Sequence, residues 1–103
     1  MDQVAVQERI ERLRSLVRTE RLIGLYEFGI EGCTAKDTGH VVAVLQELVR
    51  LIDYQYLDIA DGFKRLYEYC LDEARQGGFH RVKFNLSDLR DTLQRNLAGS
   101  APA

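Results

Sequence analysis

The chain lacks most of what would announce a chemistry. Its 14 basic and 16 acidic residues leave a net charge of −2 and are spread over both halves. No basic stripe forms, which argues against a nucleic-acid partner. No apolar run approaches the roughly 20 residues of a membrane span. The opening Met-Asp-Gln, with charged residues from Glu8 on, does not read as a signal peptide, so a cytoplasmic protein is expected. His40 and His80 are isolated from any His-Glu-x-x-His or Glu-x-x-His pattern; both read as surface or capping histidines, with no metal site. Acid pairs such as Asp72–Glu73 and Glu68–Asp72 lie opposite an apolar stripe and read as a solvated face rather than as acid–base machinery. No nucleophile stands at recognisable spacing from a base. No enzyme activity and no cofactor are expected. The two cysteines, Cys33 and Cys70, fall on apolar helical faces and read as small buried hydrophobes rather than as a disulfide or a reactive thiol.

What the chain does have is helical periodicity. Hydrophobic residues make up 46% of its 103 residues, too many for a disordered chain and enough for one core, expected over residues 1–98. The best-punctuated stretch is 58–78. Asp58 is a candidate N-cap. Ile59, Phe63, Leu66, Tyr67, Cys70, Leu71 and Ala74 form one face. Gly77 and Gly78 supply the left-handed residue that ends many helices.

Two further stripes precede it: Val6, Ile10, Leu13 and Val17, then Leu22, Tyr26, Gly29, Ile30 and Cys33. They are about half a turn out of phase. Either the chain breaks near Thr19 or one long helix is sandwiched between two partners; the phase favours the break. Asp37 or Thr38 caps a helix expected over about residues 38–55. Its apolar arc is wide, running from Val41 to Ile52 through Val44 and Leu51. That width suits a central helix touching two neighbours, or one whose Val44/Leu51 edge faces a groove. After a link at 53–57 and the 58–78 helix, Phe79, Val82, Leu86, Leu89, Leu93 and Leu97 step by three and four, as along a helix seam. A strand over His80–Leu86 competes, because Val82, Phe84 and Leu86 alternate. Residues 99–103 read as a disordered tail.

Short links make neighbouring helices antiparallel. The expected fold is therefore all-α: an antiparallel up-down four-helix bundle with an additional N-terminal helix or extension. Some large apolar residues then point away from the core: Phe28, Tyr69 and Phe84. Together with Tyr26 and the Val44/Leu51 edge, they suggest a groove for an amphipathic partner segment. The competing reading packs Phe28 and Phe84 under the N-terminal segment. Self-association through the off-core aromatics, as in an oligomerisation or scaffold module, is the alternative function.

Thr19-x-x-Leu22-x-x-Leu25-Tyr26-x-x-Gly29-Ile30 resembles the start of the first bundle helix of the flagellar export chaperone FliS family. Leu66-Tyr67-x-Tyr69, Leu71 and Ala74, then a short turn and Val82-x-x-x-Leu86-x-x-Leu89-Arg90-Asp91, are similar to that family's third and fourth helices. The resemblance covers roughly residues 19–95. It implies an antiparallel four-helix bundle that binds the disordered C-terminal part of flagellin, prevents its premature assembly and helps deliver it for export. It also implies a mobile N-terminal segment able to occupy one client groove. The expected partner is thus flagellin or a similar secreted protein, bound through its C-terminal helical segment at Tyr26, Phe28, Val44, Leu51, Tyr69 and Phe84.

Overall fold

Five helices account for nearly all of residues 1–100, which the computed structural model describes. They are α1 (Gln3–Arg14), α2 (Arg18–Thr34), α3 (Thr38–Arg50), α4 (Leu57–Arg75) and α5 (Phe79–Ser100). The fold is all-α, and the described residues contain no strand. The strand considered over His80–Leu86 is helix: Val82 and Leu86, one turn apart, are both fully buried, whereas Phe84 between them is exposed. The proposed tail begins inside α5, whose helix runs to Ser100; residues 101–103 lie outside the described part.

The chain does break between the two N-terminal stripes, at residues 15–17. Ser15 folds back so that its Oγ donates to the Arg12 carbonyl at 2.8 Å, and Val17 is extended at ψ 155°. Thr19 is not the cap: α2 starts at Arg18 with no side-chain N-cap bond. Asp2 and Asp37 do cap their helices, accepting from the backbone N–H of Ala5 at 2.8 Å and of His40 at 3.2 Å. Asp58 does not. Helix α4 begins one residue earlier, at Leu57, behind Tyr56, and Asp58 instead sits in the first turn, where its charge suits the helix dipole. Helix α3 stops at Arg50 rather than near residue 55. Asp53 offers the backbone a competing turn, its Oδ1 accepting from Gln55 N–H at 3.0 Å. Gly77 takes the expected left-handed conformation, φ 84°, and Gly78 N–H reaches back to the Glu73 carbonyl at 2.7 Å. Lys36 closes α2 in the same way at φ 53°, without glycine's freedom.

The packing forms a closed circuit. Helix α2 lies against α3 and α5, α3 against α4, and α4 against α5, while α1 rests on α2 and α3. Glycines let α2 approach its neighbours closely. A Cβ at Gly29 would sit 2.6 Å from Leu86, and one at Gly32 would sit 2.9 Å from Val41 and 2.8 Å from the His40 ring. Helix α1 buries Val6 and Ile10 and is clamped by a buried carboxylate. Glu47, 4% exposed, accepts from Arg14 Nε at 2.9 Å and Nη2 at 2.8 Å, with Arg50 at 3.2 Å.

This packing corrects two sequence expectations. Phe28 is not off-core: it is fully buried, because α1 and α3 cover the side of α2 that its periodicity left unassigned. Arg9 of α1 stands 4.9 Å over its ring and His40 of α3 lies 4.1 Å from it, centroid to centroid. Val44 is not a groove edge either. It is fully buried against the Gly29 surface of α2.

The glycine contacts are testable as a pair. Gly32→Ala is expected to cost about 1–3 kcal/mol by overpacking against His40 and Val41. Gly62→Ala, where nothing lies within 4 Å, is expected to stabilise by about 0.5–1 kcal/mol. Urea denaturation of both variants against the parent reads the difference.

Candidate partner-binding cleft

Helices α2 and α4 stand diagonally across the circuit, and none of their Cα atoms come within 8 Å of each other. On α2, Arg18, Leu22 and Tyr26 follow at steps of four and share a face. On α4, Ile59, Phe63 and Tyr67 do the same. The two stripes line opposite sides of an open cleft of about 250 Å³, backed by Leu48, Leu51 and Ile52 at the end of α3 and edged by Asp53 and Tyr56 of the link. The early end of α3 is what opens the cleft mouth, since the chain leaves the helix there and returns only at Leu57.

At the cleft floor a hydrogen bond bridges the diagonal. The Tyr26 and Tyr67 hydroxyls are 2.9 Å apart and hydrogen-bonded, and each residue is only 3% exposed. Burial pushes both phenols above their ordinary value, although the nearby Arg18 guanidinium pulls the other way on each. The Phe63 ring stacks on Tyr67 at 5.8 Å. The upper wall is apolar and accessible, with Ile59 62% exposed and Tyr56 and Leu57 also open to solvent. Arg18 stands at the rim, its Nη2 donating to the Leu51 carbonyl at 2.9 Å.

Of the sequence candidates, the cleft thus gathers Tyr26 and Leu51. It does not include Phe28 or Val44, which are core, nor Tyr69 and Phe84, which are exposed on the outer faces of α4 and α5. Phe84 is the most exposed aromatic of the described residues, at 72%, and is not covered by the N-terminal segment. Helix α1 does not line the cleft, which is open with α1 docked. Sequence reasoning missed Arg18, Phe63 and Tyr67 as site residues. The matching four-residue steps on α2 and α4 were the available signal.

Other groups are placed where chemistry is suppressed. Cys33 on α2 and Cys70 on α4 are buried free thiols, and burial pushes each up to about 11. A disulfide between them needs Cα atoms within about 7 Å, closer than α2 and α4 come anywhere. No group of three or more His, Cys, Asp or Glu among the described residues is placed to hold a metal. No described helix is long and apolar enough to cross a membrane. His40, expected at the surface, is buried because Phe28, Gly32 and Val41 close around it, and its Nε2 has no partner. Comparison of the chain with family models, with curated proteins and with solved structures found no match.

The buried imidazole gives the fold a pH dependence. Burial lowers the His40 pKa, and the Phe28 carbonyl and the Asp37 and Glu31 carboxylates oppose that only in part. The unfolded chain therefore takes up the proton more readily. Stability is fully present above the ordinary histidine value near 6.5 and is lost as pH falls through the folded value. Asp37 and Glu47, held below the usual carboxylate range by the His40 backbone N–H and by Arg14 respectively, act in the same direction at lower pH. The urea midpoint is expected to fall between about pH 7 and about pH 5, and His40→Phe to flatten that slope.

Proposed function

We propose that the protein is a non-enzymatic chaperone or adaptor that holds an amphipathic helical segment of a secreted partner in the Arg18–Tyr67 cleft. The supporting observation is the geometry: two facing stripes of apolar side chains on diagonal helices, open to solvent, with a closed floor. At about 250 Å³ the cleft is smaller than the roughly 300–1,000 Å³ of most small-molecule pockets and suits a few side chains of a peptide. The resemblance to the FliS family makes the C-terminal segment of flagellin the first partner to test, with prevention of premature assembly in the cytoplasm as its purpose. In this reading α2–α5 form the antiparallel up-down four-helix bundle that the resemblance implies, with α1 as the additional helix. The contacts of Gly29 with Leu86, Thr34 with Lys83, Gly32 with Val41, and Arg18 with Leu51 support opposite directions for α2 against α5 and against α3.

Magnitudes set the scale of the interaction. Burying a few aliphatic side chains contributes roughly 5–9 kcal/mol. Ordering a disordered segment takes back about 2–5 kcal/mol. A mid-range surplus of about 4 kcal/mol corresponds to an affinity of ~1 mM, so the cleft acts as an anchor within a longer contact. The exposed Tyr56, Leu57 and Ile59 beside it provide that extension.

Titrating a peptide of the C-terminal flagellin segment into labelled protein is expected to shift the Leu22, Leu48 and Ile59 methyl signals. Ile59→Asp, at an exposed position that should leave folding intact, is expected to weaken binding about tenfold or more. Absence of heat and of shifts removes flagellin as the client.

A second reading rests on Tyr69 and Phe84, the two predicted off-core aromatics that are exposed. They suit self-association of an oligomerisation or scaffold module. Sedimentation equilibrium distinguishes it: a monomer whose mass is independent of concentration excludes this reading, and concentration-dependent association abolished by Phe84→Ser supports it.

A further inference from the structure

The polar groups of the cleft define what its occupant must carry. Tyr26 and Tyr67 share one hydrogen bond between two hydroxyls. Each hydroxyl has one proton to donate, so one proton of the pair is left over. No acceptor among the described residues takes it, although both side chains are almost wholly buried. Arg18 spends one N–H on the Leu51 carbonyl and has further donors directed at no ion pair among the described residues. The only carboxylate on the rim, Asp53, is engaged by the Gln55 backbone N–H at 3.0 Å. The cleft is thus apolar on both walls; at its Arg18 side and floor it offers surplus donors, one of them cationic, while Asp53 on the rim keeps acceptor capacity beyond its bond to Gln55.

We propose that the cleft is specific for an amphipathic helix carrying an acidic side chain at the edge of its apolar stripe, with that carboxylate received by Arg18 and the spare Tyr26/Tyr67 hydroxyl. This rests on the cleft being the partner site and adds the chemistry that selects the partner. The carboxylate accepts from both donors at once, and an apolar neighbour on the same helix fills the space between Leu22 and Ile59. A purely apolar helix leaves a buried hydroxyl proton unsatisfied, and a basic one meets Arg18 with like charge. Both are disfavoured without any steric clash.

The test uses the full chain and two end-blocked amphipathic helical peptides, identical except for Glu or Gln at the edge of a leucine stripe. Isothermal titration gives the affinities, and the Leu22 and Ile59 methyl shifts locate the complex. The Glu peptide is expected to bind about tenfold more tightly than the Gln peptide, the strength of one charge-assisted hydrogen bond. Arg18→Gln, on an exposed side chain, is expected to erase that ratio, chiefly by weakening the Glu peptide, with thermal unfolding measured alongside because the bond to the Leu51 carbonyl is lost as well. The double variant Tyr26→Phe/Tyr67→Phe is expected to shrink the ratio. Equal affinity of the two peptides for the parent protein overturns the acidic specificity and leaves the cleft as a partner site. A ratio unmoved in both variants also overturns the proposal. Binding of neither peptide, or shifts confined to other surfaces, overturns the proposal together with the cleft's role.

Discussion

The hydrogen bond between the Tyr26 and Tyr67 hydroxyls is the constraint around which the molecule is arranged. Helices on the diagonal of a closed circuit do not touch through their backbones, and here they are joined by two phenols placed end to end. Each tyrosine spans half the gap with an apolar ring and meets its partner with the one polar atom it must satisfy. Below the bridge the space is filled by Cys33, Cys70, Val82 and Leu86. Above it the helices stay apart, and the separation becomes the cleft. Core and cleft are two consequences of one spacing, divided by a 2.9 Å contact.

The second constraint is the docking of α1. Its Arg9 lies over the ring of Phe28, and its Arg14 supplies the bidentate partner for the buried Glu47. A carboxylate that is nearly inaccessible requires such a partner, because burying it alone costs far more than the pair returns. The N-terminal helix is therefore held by charge as well as by Val6 and Ile10. It seals a face of α2 and α3 separate from the cleft, so the two apolar surfaces of α2 have different occupants: one is covered by the chain's own helix, the other is open.

The sequence showed the helices more clearly than it showed their surroundings. The five apolar stripes, the phase change before α2, the Asp37 cap and the Gly77 turn are local properties, carried by residues within a turn or two of each other, and each was legible. Phe28 and Val44 were misplaced for one shared reason. The competing readings, a central α3 touching two neighbours and Phe28 under the N-terminal segment, describe the outcome for these two residues, and periodicity alone could not choose them; α2 and α3 both have three helical neighbours. His40 and Glu47 look like surface residues in any one-dimensional pattern. They are buried because residues far away in sequence, Phe28 for the first and Arg14 for the second, supply what each needs. The cleft was half legible: Tyr26 and Leu51 were picked out, but pairing the Arg18/Leu22/Tyr26 stripe with Ile59/Phe63/Tyr67 requires knowing that α2 and α4 face each other without touching.

The burial of Cys33 and Cys70 has a practical side. Both sulfurs stay protonated at neutral pH and out of reach of solvent while the helices are closed, and they stand on helices too far apart to crosslink. They are also the chain's only cysteines. Any alkylation by a soluble electrophile therefore counts openings of the interior, and the molecule carries its own clock for how often α2 and α4 let water in.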